Sequence, residues 1–261
     1  MNPLDALKEE IPHLKASFDS AFLVGEGGIG LTQYVFWMFI CLALTLIVVL
    51  VAAHKLKPVP SNKFVNMVEY GYDLVRGGVA KDAIGHGYKR HVPFLASIFF
   101  FILISNFVGL IPGCKTPTGS ISVTWALAIV SFVYFNYWGV KAHGGLGYLK
   151  SFCPSGLPIV LVPIVWFLEL VSACLRALTL AVRLYANMFA GHMVLGIFAL
   201  LTSLFISYAI NNTDLMYALP AVGWVLFLVA MYALEVLVAF LQAYVFTILS
   251  AVYISLATSE H

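Results

Sequence analysis

The ionisable residues of the segment 166–194 stand in an otherwise apolar sequence. Six polar side chains follow one another at spacings of three, four, three, four and four residues: Glu169, Ser172, Arg176, Thr179, Arg183 and Asn187. Because an α-helix turns by about 100° per residue, this spacing predicts a polar stripe along one helix face. His192 follows Arg183 by nine residues and is predicted to lie on the opposite side. A charged side chain at the centre of a bilayer costs about 2.5–3.5 kcal/mol on insertion scales, so the stripe indicates an ion or proton pathway.

A second apolar stretch, near the C-terminus, carries Glu235 and Gln242 seven residues apart, on one helix face. A carboxylate in such surroundings is either protonated or paired with a cation. Histidine and carboxyl groups can exchange protons in a water-lined path, whereas a guanidinium keeps its proton and blocks a relay. Glu169, His192 and Glu235 are therefore candidates for proton transfer, and Arg183 is the candidate barrier. An antiparallel helical hairpin would bring Glu235 near His192.

The composition indicates an integral membrane protein. Of the 261 residues, 62% are hydrophobic and only 10% are charged, against about 25% charged in soluble domains. The predicted fold class is all-α, with about five membrane-crossing helices, the last two long, tilted and paired as a hairpin. The predicted spans lie near 32–53, 91–111, 121–140, 164–210 and 215–257.

Two further regions complete the predicted organisation, in which 32–261 is a single membrane domain. Residues 1–31 are mixed in polarity and are predicted to be an outside segment. Residues 61–82 repeat apolar side chains at helical spacing among charged ones, which predicts an amphipathic helix along the membrane surface.

The distribution of basic residues predicts the orientation. Five crossings would place 1–31, 112–120 and 211–214 on one side of the membrane. That side carries Lys8, Lys15 and Lys115, and the other carries Lys55, Lys57, Lys63, Arg76, Lys81, Lys89, Arg90, Lys141 and Lys150. The second side is cytoplasmic by the positive-inside rule. Sorted in this way, the basic residues form no nucleic-acid-binding patch.

The sequence predicts neither a cofactor nor a metal. Four scattered cysteines contain no Cys-x-x-Cys pair and imply no disulfide framework. The glycine-rich run at 25–30 lacks the Gly-Lys-Ser/Thr ending of a phosphate-binding loop. Histidines at loops and span ends are expected to be solvated rather than metal ligands, because no carboxylate or cysteine accompanies them at ligand spacing: His54, His86, His91 and His143.

From about residue 60 to residue 261, the chain resembles subunit a of the rotary F-type ATP synthase. The run Arg-Leu-Tyr-Ala-Asn-Met-Phe-Ala-Gly at 183–191 is similar to the family signature R-L-(F/Y/T)-(A/G)-N-(M/I)-x-A-G. The resemblance implies that Arg183 is the family's essential arginine and that Asn187 is the asparagine of the same motif.

The resemblance also implies roles for residues outside the signature. Glu169 falls on the acidic position of the cytoplasm-facing half-channel. His192 and Glu235 fall on two positions of the outside-facing half-channel, where members carry a His/Glu pair in either order. Gln242 matches a glutamine of the last helix, and Asn106 matches an asparagine before a Leu-Ile-Pro motif.

Two positions near this pattern are less settled. Arg176 either belongs to the proton path or forms an ion pair with Glu169 or a lipid headgroup contact. Gly109 stands where some bacterial members carry Asp, so one polar group of that region is missing.

The function implied is that of a proton-conducting stator subunit without catalytic activity of its own. Its partners would be a ring of c subunits, a b-subunit peripheral stalk, the other ATP synthase subunits and membrane lipid. Protons would pass through two offset half-channels by way of a ring carboxylate, turning the ring. The sequence leaves open whether the ion is a proton or sodium. The chain's tail favours a bacterial inner membrane, with a mitochondrial inner membrane as the alternative.

Two other functions are alternatives to a proton-conducting stator subunit. A proton-coupled secondary transporter would also bury Arg and Glu, but such proteins usually contain internal repeats, and the two halves of the chain show none. A purely structural membrane scaffold would not explain four ionisable groups in two apolar segments.

Overall fold

The computed structural model describes residues 22–24, 31–55, 63–111, 113–145, 147–148, 161–212 and 215–258. Most of the predicted outside segment 1–31 lies beyond these residues, as do Lys57, Cys153 and Lys150. The prediction that this segment faces the outside is therefore not addressed by the fold.

The described chain is almost entirely helical. The α-helices are α1 Gln33–His54, α2 Lys63–Asp73, α3 Asp82–Ile84, α4 Val92–Gly109, α5 Ile121–His143, α6 Val162–Asn212 and α7 Leu215–Thr258. A π-helical segment, Leu74–Lys81, joins α2 to α3, and short 3₁₀ turns occur at Tyr88–Arg90 and Pro117–Gly119. Two short strands that the sequence did not predict, β1 Phe22–Val24 and β2 Leu31–Thr32, pair antiparallel.

Five helices of the described chain are long and apolar enough to cross a membrane: α1, α4, α5, α6 and α7. The predicted class, a helical membrane protein with about five crossings, is confirmed. Residues 63–84 are helical throughout, while their position along the membrane surface stays a prediction.

Local sequence signals explain where these helices begin and end. The Thr32 hydroxyl accepts a hydrogen bond from the Val35 amide at 3.4 Å and caps α1. Pro163 stands in the first turn of α6, where its missing N–H leaves no hydrogen bond broken. Gly144 ends α5 with a φ of 75°, which glycine adopts without steric cost.

Helix α4 lies at the centre of the packing. Leu95, Phe99 and Ile102 are fully buried, and α4 contacts α1 on one side and α7 on the other. In contrast, Ile47 and Leu50 of α1 remain 57% and 64% exposed. Apolar side chains can stay exposed in this way only if their surroundings are lipid or another subunit.

The two longest helices pack against each other in opposite directions. Phe205 lies against Trp224 at the end where α6 finishes and α7 begins, and Arg176 lies 5.9 Å from the Tyr253 ring at the far end. Helix α6 continues without interruption for 51 residues, about 76 Å at 1.5 Å per residue. This length is more than twice the ~30 Å hydrocarbon core of a bilayer, so α6 cannot stand upright within it.

One histidine differs from its expectation. His91 was predicted to be solvated but is only 6% exposed. Its Nδ1 lies 3.2 Å from the Tyr134 hydroxyl, and its ring stands edge-on against Trp138. The aromatic residues that end α5 thus enclose a side chain that sequence position alone placed in solvent.

Candidate functional site

Arg183 lies on the side of α6 that faces away from the rest of the chain. Its neighbours Ala181 and Leu184 are fully buried against the fold, whereas Arg183 itself is exposed. Within the described residues, no carboxylate lies within 4 Å of its guanidinium. A charge in an apolar segment is normally paired. Because the described residues of the chain provide no such partner for Arg183, we expect the partner to come from another molecule.

Asn187, one turn after Arg183, is half-buried. The predicted stripe extends to this residue, and its more exposed members, Thr179 and Arg183, share the outward face. The structure therefore agrees with a polar stripe that does not face the chain's own core.

His192 lies on the opposite side of α6 and is bonded inside the fold. Its Nε2 is 2.7 Å from the Oγ1 atom of Thr116, a buried residue in the loop after α4. Gly109 makes this contact possible, because a Cβ there would overlap Thr116 and lie 2.6 Å from its Cβ. The space that a side chain at position 109 would need is thus occupied by the Thr116 hydroxyl.

Glu235 lies close to the same region of α6. Its side chain is 2% exposed, and a Cβ on Gly191 would overlap its carboxylate. Among the described residues, its Oε1 has no hydrogen-bond partner. A buried, unpartnered carboxylate oxygen requires a proton or a water molecule, so this site is suited to receive one.

Asn106 connects three elements at the same end of the molecule. Its Oδ1 accepts a hydrogen bond from Thr118 at 2.8 Å, and its Nδ2 donates to the Ala239 carbonyl at 3.2 Å. Gln242 follows Ala239 by less than one turn and is 7% exposed. We call the buried or half-buried polar residues of this region the outer polar cluster: Asn106, Thr116, Thr118, His192 and Glu235.

Two cavities reach the outer polar cluster from the loop after α4. Their volumes are about 370 Å³ and about 270 Å³, and both are lined by Gly113, Cys114 and His192. A water molecule in the liquid takes about 30 Å³. The cavities are therefore large enough to bring several water molecules to the His192 ring.

Glu169 and Arg176 form a separate polar group at the other end of α6. Arg176 Nη2 lies 3.8 Å from Glu169 Oε2, and the two side chains are 31% and 44% exposed. This is the ion pair that the sequence offered as one interpretation of Arg176. In such exposed surroundings the pair contributes little stability, roughly 0–1 kcal/mol.

Tyr148, in the loop after α5, lies near this pair. Its hydroxyl donates to Asn136 Oδ1 at 2.9 Å. Burial raises the pKa of Tyr148, and the positive charge of Arg176 opposes that shift. Tyr148 therefore remains a neutral hydrogen-bond donor at physiological pH.

The two polar groups are far apart along one rigid element. Glu169 precedes Arg183 by fourteen residues and His192 follows it by nine, which correspond to about 21 Å and about 14 Å along the axis. Within the described residues, no group of His, Cys, Asp and Glu could hold a metal ion.

The structure brings together only some of the residues predicted from the sequence. His192 directly follows Gly191, against which Glu235 packs, whereas Glu169 and Arg176 lie toward the other end of α6. Sequence reasoning missed three residues that complete the two groups, Thr116, Thr118 and Tyr148, and it placed Gly191 in the signature without predicting its contact with Glu235. The hydroxyls just after the end of a predicted span were the available signal for Thr116 and Thr118.

A comparison with known families tests the resemblance. The sequence profile described as ATP synthase A chain matches residues 35–255. The chain belongs to this family.

Proteins named ATP synthase subunit a are similar to the chain along most of its length. One from Chloroherpeton thalassium is 40% identical over 244 residues, covering 91% of this chain and 69% of that protein. One from a Nocardioides species is 37% identical over 257 residues, covering 96% and 91%. One from Bradyrhizobium diazoefficiens is 36% identical over 238 residues, covering 89% and 90%.

The predicted resemblance to subunit a is therefore confirmed. As a member of the ATP synthase A chain family with five candidate membrane spans in its described residues, the chain is a multi-pass, ion-transporting membrane subunit.

Proposed function

We propose that the chain is the proton-conducting stator subunit of a rotary ATP synthase in a bacterial inner membrane. It provides two offset aqueous half-channels and presents Arg183 to a carboxylate on a ring of c subunits. The observation that supports this most directly is the exposed Arg183 guanidinium, for which no described carboxylate of the chain serves as a partner. The b-subunit peripheral stalk and other ATP synthase subunits would hold the chain in place against the ring.

The outer polar cluster forms the outer half-channel in this proposal. Water in the two cavities hands a proton to His192, whose ring is oriented by Thr116. Glu235 packs against Gly191, the residue before His192, and has an unpartnered oxygen that can take the proton onward. Asn106 holds the α7 backbone through the Ala239 carbonyl, and Gln242, three residues further on, lines the route toward the ring.

Glu169 and Arg176 mark the cytoplasmic half-channel. Both side chains are partly exposed, and in this proposal water from the cytoplasmic side reaches them and removes a released proton. Glu169 is the carboxylate that receives this proton, and Arg176 positions it through the 3.8 Å ion pair. Asn187 lies one turn from Arg183, where its amide can hydrogen-bond the arriving ring carboxylate.

Arg183 separates the two half-channels. Its guanidinium stays protonated at any physiological pH, so protons cannot pass through it from one water path to the other. It attracts an ionised ring carboxylate and stabilises that charge until the outer half-channel neutralises it. Each transported proton must then travel on the ring, and this requirement couples proton flow to rotation. The chain itself forms and breaks no covalent bonds other than those to protons.

The test is to replace Arg183 in the intact complex and to measure ATP synthesis in energised membrane vesicles. Arg183→Ala should abolish proton-driven synthesis while the purified complex keeps its full set of subunits. Arg76→Ala, which removes an exposed arginine from the π-helical segment, should synthesise ATP at the parental rate. Parental rates of synthesis from Arg183→Ala would overturn the proposal.

A further inference from the structure

A basic cleft lies where α4 begins and α5 and α7 end. Its volume is about 630 Å³, within the range of pockets that hold small organic ligands. The residues that give the cleft its character are His86, Lys89, Arg90, His91, Trp138 and Lys141. The cleft is distant in the chain from Arg183 and from the outer polar cluster, and the proposed function makes no use of it.

Among the described residues that line this cleft, the charged ones are all positive. Lys89, Arg90 and Lys141 are exposed at its lining. In the part of the chain that the structure describes, no carboxylate lies within 4 Å of any of the three cationic groups. Three like charges that line one cleft favour binding of an anion.

Aromatic rings hold two of these cations in place. The Arg90 guanidinium lies 5.1 Å from the centroid of the Trp138 ring, and Lys141 Nζ lies 4.7 Å from the same ring. One indole ring therefore contacts both positive charges of the cleft by cation–π interactions. His91 packs edge-on against Trp138, and burial, together with the charge of Arg90, lowers its pKa. His91 therefore lines the cleft as an uncharged side chain at pH 7.

The cleft is continuous with an apolar surface on α5. Val133, Tyr137 and Val140 follow at helical spacing and are 58%, 59% and 43% exposed, and Lys141 Nζ also lies 5.9 Å from the Tyr137 ring. A basic pocket at the end of membrane-spanning helices, next to an exposed apolar stripe, matches the two parts of a phospholipid: the pocket suits the anionic headgroup and the stripe suits the acyl chains. Tryptophan and tyrosine at this depth are typical of the interface between headgroups and acyl chains.

We propose that the basic cleft binds the phosphodiester headgroup of an anionic phospholipid, whose acyl chains lie along Val133, Tyr137 and Val140. Arg90 and Lys141 contact the phosphate oxygens, and Lys89 adds a third positive charge at the rim. The bound lipid would join the start of α4 to the ends of α5 and α7. The occupant is a lipid rather than a free phosphate ion because the apolar stripe adjoins the charged pocket.

The experiment uses the whole ATP synthase complex, purified in a mild detergent. Short-chain phosphatidylglycerol or phosphatidylcholine is titrated into it, and native mass spectrometry counts the lipids retained. The double variant Arg90→Gln/Lys141→Gln should lose one phosphatidylglycerol site or bind it roughly thirtyfold more weakly. The control Arg76→Gln/Lys81→Gln removes the same charge from exposed positions outside the cleft and should retain the parental number.

Further arms identify the occupant. Retention of phosphatidylglycerol in the presence of inorganic phosphate supports a lipid site, whereas full displacement by phosphate indicates a free-anion site and overturns the proposal. Equal retention of phosphatidylcholine, or identical titrations of the two double variants, would also overturn it. So would photocrosslinking from Lys89 that captures an acidic segment of another subunit instead of lipid. None of these readouts depends on proton transport, so failure here is distinguishable from failure of the proposed function.

Discussion

At the scale of single residues, two glycines shape the outer polar cluster as much as its polar side chains do. Because Gly191 has no side chain, the Glu235 carboxylate can pack directly against α6, and Gly109 allows the Thr116 side chain to pack against α4 in the same way. Both glycines lie in or at the end of helices, where glycine costs about 1 kcal/mol relative to alanine. Their presence is explained by the close approach of a functional side chain.

We expect Gly191→Ala to impair proton transport. The new methyl group would push the Glu235 carboxylate away from α6 and lengthen its path to His192, so ATP-driven proton pumping in inverted vesicles should fall at least severalfold. Gly223→Ala is the matched control, because a Cβ there meets nothing within 4 Å, and it should pump normally. Equal pumping by both variants would show that Glu235 does not need its present position.

Thr116→Val should slow proton uptake through the outer half-channel. Valine keeps the shape of threonine but removes the hydroxyl that lies 2.7 Å from His192 Nε2, leaving the imidazole without its orienting partner at a cost of about 1–3 kcal/mol. Thr116→Ser restores a hydroxyl and should recover most of the rate. The initial rate of fluorescence quenching by a pH-sensitive dye measures the effect, and an unchanged rate in Thr116→Val would exclude the threonine from the path.

At the scale of helices, the segment after α5 packs against α5 through a close contact between Tyr148 and Gly139. The Tyr148 ring lies against Gly139, where a Cβ would overlap the ring and lie 2.9 Å from its Cδ2. The hydrogen bond to Asn136 holds the same ring from the neighbouring turn. This contact keeps Tyr148 close to Arg176.

Gly139→Ala should destabilise this end of the molecule. Overpacking at a filled position costs about 1–3 kcal/mol, and the thermal midpoint of the purified complex should fall in proportion. Gly145→Ala, at a position whose Cβ would meet nothing within 4 Å, serves as the control. A Gly139→Ala complex as stable as the control would mean that the Tyr148 contact contributes no stability.

The helices themselves were predictable, because uncharged stretches of about 20 residues have few alternatives in a membrane. The polar stripe on α6 was predictable too, since its spacing follows the helical period. The pairing of Glu235 with Gly191 was not, because periodicity defines a face but not the register between two helices. Thr116 and Thr118 were missed for a related reason: they lie in a loop, where no period constrains the direction of a side chain.

At the scale of the whole molecule, the outward face of α6 is an exposed surface that the rest of the described chain does not cover. Arg183 shares this face with exposed apolar side chains such as Leu175 and Val182, which are 49% and 43% exposed. An apolar face that carries an exposed cation suits a partner that is itself apolar and carries a buried carboxylate.

Cysteine crosslinking should identify that partner. In a background with the exposed Cys174 replaced by serine, Ala186→Cys on the Arg183 face should crosslink to a cysteine placed beside the acidic residue of the c subunit. Leu46→Cys, on the exposed side of α1, should give no such product. Crosslinks from Leu46→Cys alone would place the ring against the wrong face of the chain and contradict the proposed function.

The unbroken run of α6 has a mechanical consequence. Glu169 and His192 lie on one continuous helix, about 35 Å apart along its axis. In the proposed function, this helix would keep the spacing of the two half-channels constant while the ring turns, and the angular step between them would be set by its geometry. In that case, any elastic deformation that accompanies rotation would occur in other subunits of the complex.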